Sequence, residues 1–336
     1  MKSSAVAMAS SLAMLLLAVS VVYTAATDVS TETLSFVVIG DWGGIPFYPY
    51  TTLAETRIAK AMGDVGANIH SNFSVALGDN FYFTGVKDVN DARFKETFER
   101  VFTAPSLMSR WYVLAGNHDH YGNVTAQVEY THLSNRWYFP QLYYTQTMNV
   151  GTDATLQLVM IDTVSLAGLS DMFGRNVPYQ PIAAQDEVDK QLAWLEATLA
   201  ASEATWLLVC GHYPVWSVGE HGPTSFMVEN IKPLLEKYRV TAYLNGHDHS
   251  MQHIRPSNQS VDYFTIGAGH LTDDSTKHKD DVPAGSLRYH YAPFDIIASD
   301  GGFASFSVSA QSMVVTYYDA HGKELYHYEN ASPRTR

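Results

Sequence analysis

The chain has 336 residues, 46% of them hydrophobic and 12% aromatic, and carries a formal net charge of −13. That apolar content suffices for a packed globular core and excludes a disordered chain. The acidic balance, with no compensating Lys/Arg run, excludes nonspecific binding to nucleic acid or anionic membranes.

The first element in chain order is a secretory leader. Met1 and Lys2 precede the apolar run Leu12 to Val22, and Thr24 and Ala26 fit a peptidase site. Residues 1–26 are expected to be removed, leaving a single domain at 27–336 that begins at Thr27. The run is short for a membrane span, and no later stretch approaches spanning length. The expected destination is the secretory pathway, extracellular or lysosome-like. Asn72, Asn123 and Asn258 head Asn-X-Ser/Thr sequons and are expected glycan acceptors, whereas the one at Asn330 is weakened by Pro333. Cys210 is the only cysteine, so no intramolecular disulfide forms. Its apolar run predicts a buried, inert thiol.

Next come buried strands alternating with helices. Ser35–Ile39, Ser74–Leu77, Trp111–Leu114, Leu156–Ile161, Trp206–Cys210 and Thr241–Leu244 read as strands of a covered sheet. Helices are predicted at Thr52–Met62, Asp91–Phe102, Asp186–Ala200 and Phe226–Tyr238. In the third, Val188, Leu192, Leu195 and Leu199 recur at helical spacing behind an acidic first turn. Val261–Ile266, Phe303–Val308, Met313–Tyr318 and Glu324–Tyr328 then read as strands, with a hairpin turn at Gly322-Lys323. This order predicts a mixed α/β core of two sheets. Ala167–Ile182 and Asp273–Gly285 are irregular, as functional loops often are.

Several strands end in a glycine followed by a potential metal donor: Gly40-Asp41, Gly78-Asp79, Gly116-Asn117, Gly211-His212 and Gly246-His247. One such dipeptide is usually a turn. Their joint occurrence at successive strand ends points to a pair of ions sharing one carboxylate, a device for attacking phosphate esters with water. Asp41, Asp79, Tyr82 and His249 are assigned to one ion, and Asp79, Asn117, His212 and His247 to the other. Asp79 would bridge. Phenolate is a hard anionic donor, so the Tyr82 site favours Fe3+, and the second site suits Fe2+, Zn2+ or Mn2+. His70, His132, His253, His278, His321 and His327 lack such a context and are expected on the surface or behind the ligands.

With these blocks in hand, the chain resembles the purple acid phosphatases, in particular their small mammalian-type, tartrate-resistant form. The likeness runs from about Phe36 to Tyr328 and includes Gly78-Asp79-Asn80-Phe81-Tyr82-Phe83, Gly116-Asn117-His118-Asp119-His120 and Gly246-His247-Asp248-His249. It implies a calcineurin-like metallophosphoesterase fold, a two-sheet β-sandwich flanked by helices, with an Fe3+–M2+ centre. It also implies an acid phosphatase acting on phosphomonoesters, small molecules or phosphoproteins, with hydroxide held by Fe3+ as nucleophile. His118 and His221 are the implied proton donors near substrate, and the short form resembles monomers. The alternatives are an iron-carrying glycoprotein and a phosphodiesterase or nucleotide hydrolase of the same fold. The chain departs from the family pattern at two places. Ala167 and Phe226 stand where a disulfide ties the irregular loop, and the family's Gly-Ala-Gly-Asn turn reads Gly267-Ala268-Gly269-His270. The likeness further implies that the Ala167–Ile182 loop limits activity until it is cut.

Overall fold

The structure is a computed structural model and describes residues 33–171, 179–257, 259–293, 300–330 and 332–334. The expected leader, its cleavage site and the Asn258 acceptor lie outside the described residues.

Two seven-stranded sheets form the core. In spatial order the first holds β14 (Glu324–Asn330), β13 (Met313–Asp319), β12 (Gly302–Val308), β1 (Leu34–Ile39), β2 (Phe73–Leu77), β3 (Trp111–Leu114) and β4 (Trp137–Tyr138). The second holds β11 (Leu287–Tyr291), β9 (Met251–Ile254), β10 (Asp262–Ile266), β8 (Ala242–Asn245), β7 (Trp206–Cys210), β6 (Ala154–Met160) and β5 (Tyr144–Val150). Strands β1 to β4 pair in parallel, as do β6, β7, β8 and β10, while the flanking pairs are antiparallel. The central parallel strands are buried along their whole length, as their continuous apolar sequence requires. Parallel strands place their carboxyl ends on one edge, which is where ligands gather in such sheets.

Helices cover the sheets. The first, α1 (Leu53–Asn68), opens with a reciprocal cap. The Glu55 amide donates to Thr52 Oγ1 at 3.1 Å, and the Thr52 amide donates to Glu55 Oε2 at 3.2 Å. It runs past the expected end at Met62 through Gly63 and Gly66. Gly63 marks close packing, since a Cβ there would lie 2.4 Å from the Ala104 Cβ. The segment expected as a helix at Asp91–Phe102 contains a π-helical turn, Phe94–Glu99. The remaining helices are α2 (Asn117–His120), α3 (Val124–Tyr130), α4 (Thr163–Ala167), α5 (Gln185–Ala201) and α6 (Lys232–Lys237), the last preceded by a π-helical turn, Met227–Ile231. Trp42, Phe98, Phe102, Trp111 and Trp137 interlock in one aromatic cluster with neighbouring centroids 4.8–6.4 Å apart.

Cys210 is fully buried, and burial pushes its thiol far above the ordinary range. His253 departs from its expected place. It is fully buried in β9, between Tyr326 and Asp262 and away from the surface. Of the sequon asparagines, Asn72 and Asn123 are exposed. Asn330 is buried and donates to Asp262 at 3.1 Å, which leaves its amide engaged.

Candidate dinuclear metal centre

The sequence-predicted donors meet at the carboxyl edge of the parallel strands. Asp41 follows β1, Asp79 and Tyr82 follow β2, and Asn117 opens α2 after β3. His212 follows β7, and His247 and His249 follow β8. All the oxygen donors therefore come from the first sheet and all the imidazoles from the second.

The backbone turns sharply to present them. Asp41, Asp79 and His247 have φ of 57°, 51° and 71°. Positive φ in a non-glycine residue costs energy and concentrates at functional sites. The adjoining glycines make room for the carboxylates. A Cβ on Gly116 would sit 2.2 Å from Asp79 Oδ1, and one on Gly246 would sit 2.2 Å from Asp41 Oδ2.

Two donor groups result. In the first, the Tyr82 hydroxyl lies 3.1 Å from Asp41 Oδ1 and 3.0 Å from His249 Nε2, and His249 Nε2 lies 3.6 Å from Asp41 Oδ1. In the second, His212 Nε2 lies 2.9 Å from Asn117 Oδ1 and 3.4 Å from Asp79 Oδ2. One atom each of Asp41, Asp79 and His212 fall within 4.8 Å of one another, which joins the groups. The His247 ring is 5.1 Å from that of His212, and its Nε2 faces the Tyr179 hydroxyl at 3.4 Å.

The electrostatics are those of a place built for cations. Burial, with Asp79 as a like-charged neighbour, pushes Asp41 well above the usual carboxylate range despite the pull of His212. Burial also opposes ionisation of Asp79, but His212 and His118 outweigh it and hold that carboxyl low. Burial alone would lower His212, yet Asp79 and Asp41 raise it to about 9. Burial, reinforced by Asp41 and Asp79, pushes the Tyr82 phenol up, and burial with His221 and His270 nearby pushes His249 down to about 3. Hard oxygen donors beside neutral imidazoles fit divalent and trivalent first-row metals.

The centre opens into a cleft of about 520 Å³, lined among others by Phe83, His118, Glu220, His221 and Asp248. The His118 amide donates to Asp79 Oδ1 at 2.9 Å, and its Nδ1 donates to the Phe83 carbonyl at 2.7 Å. That second bond fixes the tautomer and leaves Nε2 for a substrate. The His221 ring stacks on His247 at 4.1 Å and 25°, and its amide donates to Asp248 Oδ1 at 2.8 Å.

Sequence reasoning missed the supports behind these groups. Thr163 Oγ1 accepts from the amides of His212 and Tyr213 at 3.2 and 3.0 Å. Asp119 ties β2 to β3, accepting from the amides of Gly116 and Asn80 and from Gln127 Nε2. Glu220 bonds Ser275 and Lys277 of the irregular Asp273–Gly285 stretch. Only the Asp119 position, inside a Gly-Asn-His-Asp run, carried a signal that could have found it.

Residues 34–251 match the calcineurin-like phosphoesterases. The chain is 46% identical over 301 residues to tartrate-resistant acid phosphatase type 5 of Homo sapiens, covering 89% of this chain and 91% of that protein. It is 31% identical over 305 residues to purple acid phosphatase 3 of Arabidopsis thaliana, covering 88% and 77%. A solved structure of Plasmodium GAP50, the anchor in the inner membrane complex, superposes with a TM-score of 0.75 at 23% identity, covering 90% of each chain. That last likeness shows the fold alone. The chain belongs to the calcineurin-like phosphoesterase family. Within it, its relatives are the tartrate-resistant and purple acid phosphatases.

Proposed function

We propose that this acid phosphatase hydrolyses phosphate monoesters at a dinuclear Fe3+–M2+ centre. Asp41, Asp79, Tyr82 and His249 would hold the ferric ion, and Asp79, Asn117, His212 and His247 the divalent one, Fe2+, Zn2+ or Mn2+. When bound, the pair supplies Lewis acidity toward the phosphoryl oxygens and activates water for in-line attack. The observation that carries this reading is the position of the Asp79 carboxylate, 3.4 Å from His212 Nε2 and clustered with Asp41, between a Tyr82-containing group and an Asn117–His212 group that line an open cleft.

The protein's own side chains then have definite tasks. His118 is held by the Phe83 carbonyl so that Nε2 faces the cleft. That nitrogen is the group that would deliver a proton to the leaving oxygen. His221, oriented by Asp248 and stacked on His247, is the second donor. An iron carrier would need neither group. We place the protein as a glycosylated monomer in the secretory pathway, extracellular or lysosome-like, with Asn72, Asn123 and Asn258 bearing glycans.

Elemental and visible-absorption analysis of the purified protein, paired with p-nitrophenyl phosphate turnover across pH, tests the reading. Iron plus a second metal, a purple colour and peak activity in acid are expected. Peak turnover only in alkaline buffer, or full activity without iron, would sink it.

A further inference from the structure

The turn after β10 is pinned along its length. The Gly267 amide donates to the Ser250 carbonyl at 3.0 Å, the Gly269 amide to the Gly40 carbonyl at 3.1 Å, and the Gly302 amide to the Ala268 carbonyl at 2.9 Å. Three residues beyond His270, the Asp273 amide donates to the His249 carbonyl at 2.9 Å. His270 is therefore delivered to one place by backbone fixed on both sides. That place is the face of Tyr82. The rings stack with centroids 5.0 Å apart and planes 27° apart. The neighbouring approach to the phenol is taken by His118, edge-on at 4.6 Å.

His270 is 2% exposed, and neither ring nitrogen has a hydrogen-bond partner among the described residues. A buried polar ring without bonds is unfavourable, so what holds it there is its face. The asparagine of the family's Gly-Ala-Gly-Asn turn is too short to stack and would bring a polar carboxamide toward the phenol.

We propose that His270 is a positioning residue for Tyr82: its ring face holds the phenol oriented toward Asp41 and His249, excludes water from that side, and so sets the wavelength of the iron–phenolate absorption. This rests on the ferric reading given above. The absorption moves an electron from phenolate to Fe3+. Water or an amide against the ring stabilises the phenolate charge before transfer and raises the energy required. Loss of the stacked ring therefore shifts the band to shorter wavelength.

The test uses the metal-loaded full chain with His270→Asn, His270→Ala and His270→Phe, each checked for unchanged iron content. The Asn and Ala variants shift the visible maximum to shorter wavelength, and the Phe variant, which keeps a ring face without nitrogens, retains the wild-type maximum. An unmoved band in Asn and Ala, or an equal shift in Phe, overturns the role given to His270. Should the unsubstituted protein with bound iron show no visible band, the phenolate assignment falls, and this inference with it.

Discussion

Two of the buried polar clusters among the described residues are built on opposite principles. Around Asp262, every charge is answered. Its carboxylate accepts from Arg255 at 2.7 Å, His253 at 3.0 Å, Asn330 at 3.1 Å and Tyr328 at 3.2 Å. These residues sit on or beside β9, β10 and β14, and none has a positive φ. Around Asp79, two carboxyl groups on positive-φ backbone and a phenol converge beside His212, and the cluster faces a cleft. Saturated hydrogen bonding on regular strands marks structure. Convergent acidic groups on strained turns mark a functional site.

The largest expected effect breaks the second cluster. Asp79→Ala should strip both metals and abolish turnover; a full metal load in that variant would refute the shared carboxylate. Asp262→Asn should act in the reverse sense. It should cost about 3 kcal/mol in urea unfolding, at the low end for breaking a buried ion pair because Arg255 is partly exposed. Colour and turnover should persist, and their loss would erase the distinction between the clusters. His118→Ala should lower kcat roughly 100-fold with p-nitrophenyl phosphate while both metals stay bound. An unchanged kcat would remove His118 from proton delivery.

A smaller effect comes from the buried pair His120–Asp162, 3.1 Å apart. Burial alone would lower His120, but Asp162 raises it, so the folded state binds this proton more tightly than the unfolded chain. The contribution is fully present below the ordinary imidazole value of about 6.5 and fades as pH rises through the raised one. Burial likewise opposes ionisation of Asp162, yet His120 holds it low, so the partner stays charged until strongly acid solution. His120→Gln should therefore destabilise by about 1–3 kcal/mol at pH 5 and by less at pH 9. An equal cost at both would show that the pair contributes packing alone.

Legibility in the sequence followed burial and regularity. Trp111–Leu114 and Trp206–Cys210 form strands with the expected bounds because both faces are covered and the apolar run is continuous. β5 and β11 escaped notice because they are half-exposed strands at sheet edges, and β9 because its four residues include buried Gln252 and His253. The end of α1 was misplaced because Gly63 reads as a breaker when its role is contact with Ala104. The seven candidate ligands were visible because each stands just past a strand. Their supports were not. The Phe83 carbonyl acts through backbone, Thr163 reaches the centre from the first turn of the short helix α4, and Asp248 and Tyr179 reach it from loops whose sequence carries no periodicity.

The division of donors between the sheets has a consequence for how the protein is made. Asp41 through Asn117 leave the ribosome well before His212, His247 and His249, so the early half of a nascent chain offers oxygens but none of the proposed imidazole ligands. Neither half alone completes a coordination sphere. On the proposed ligand assignment, metal capture would wait until synthesis has passed His249 and the seam between the sheets has closed, so the expected tint would report completed assembly.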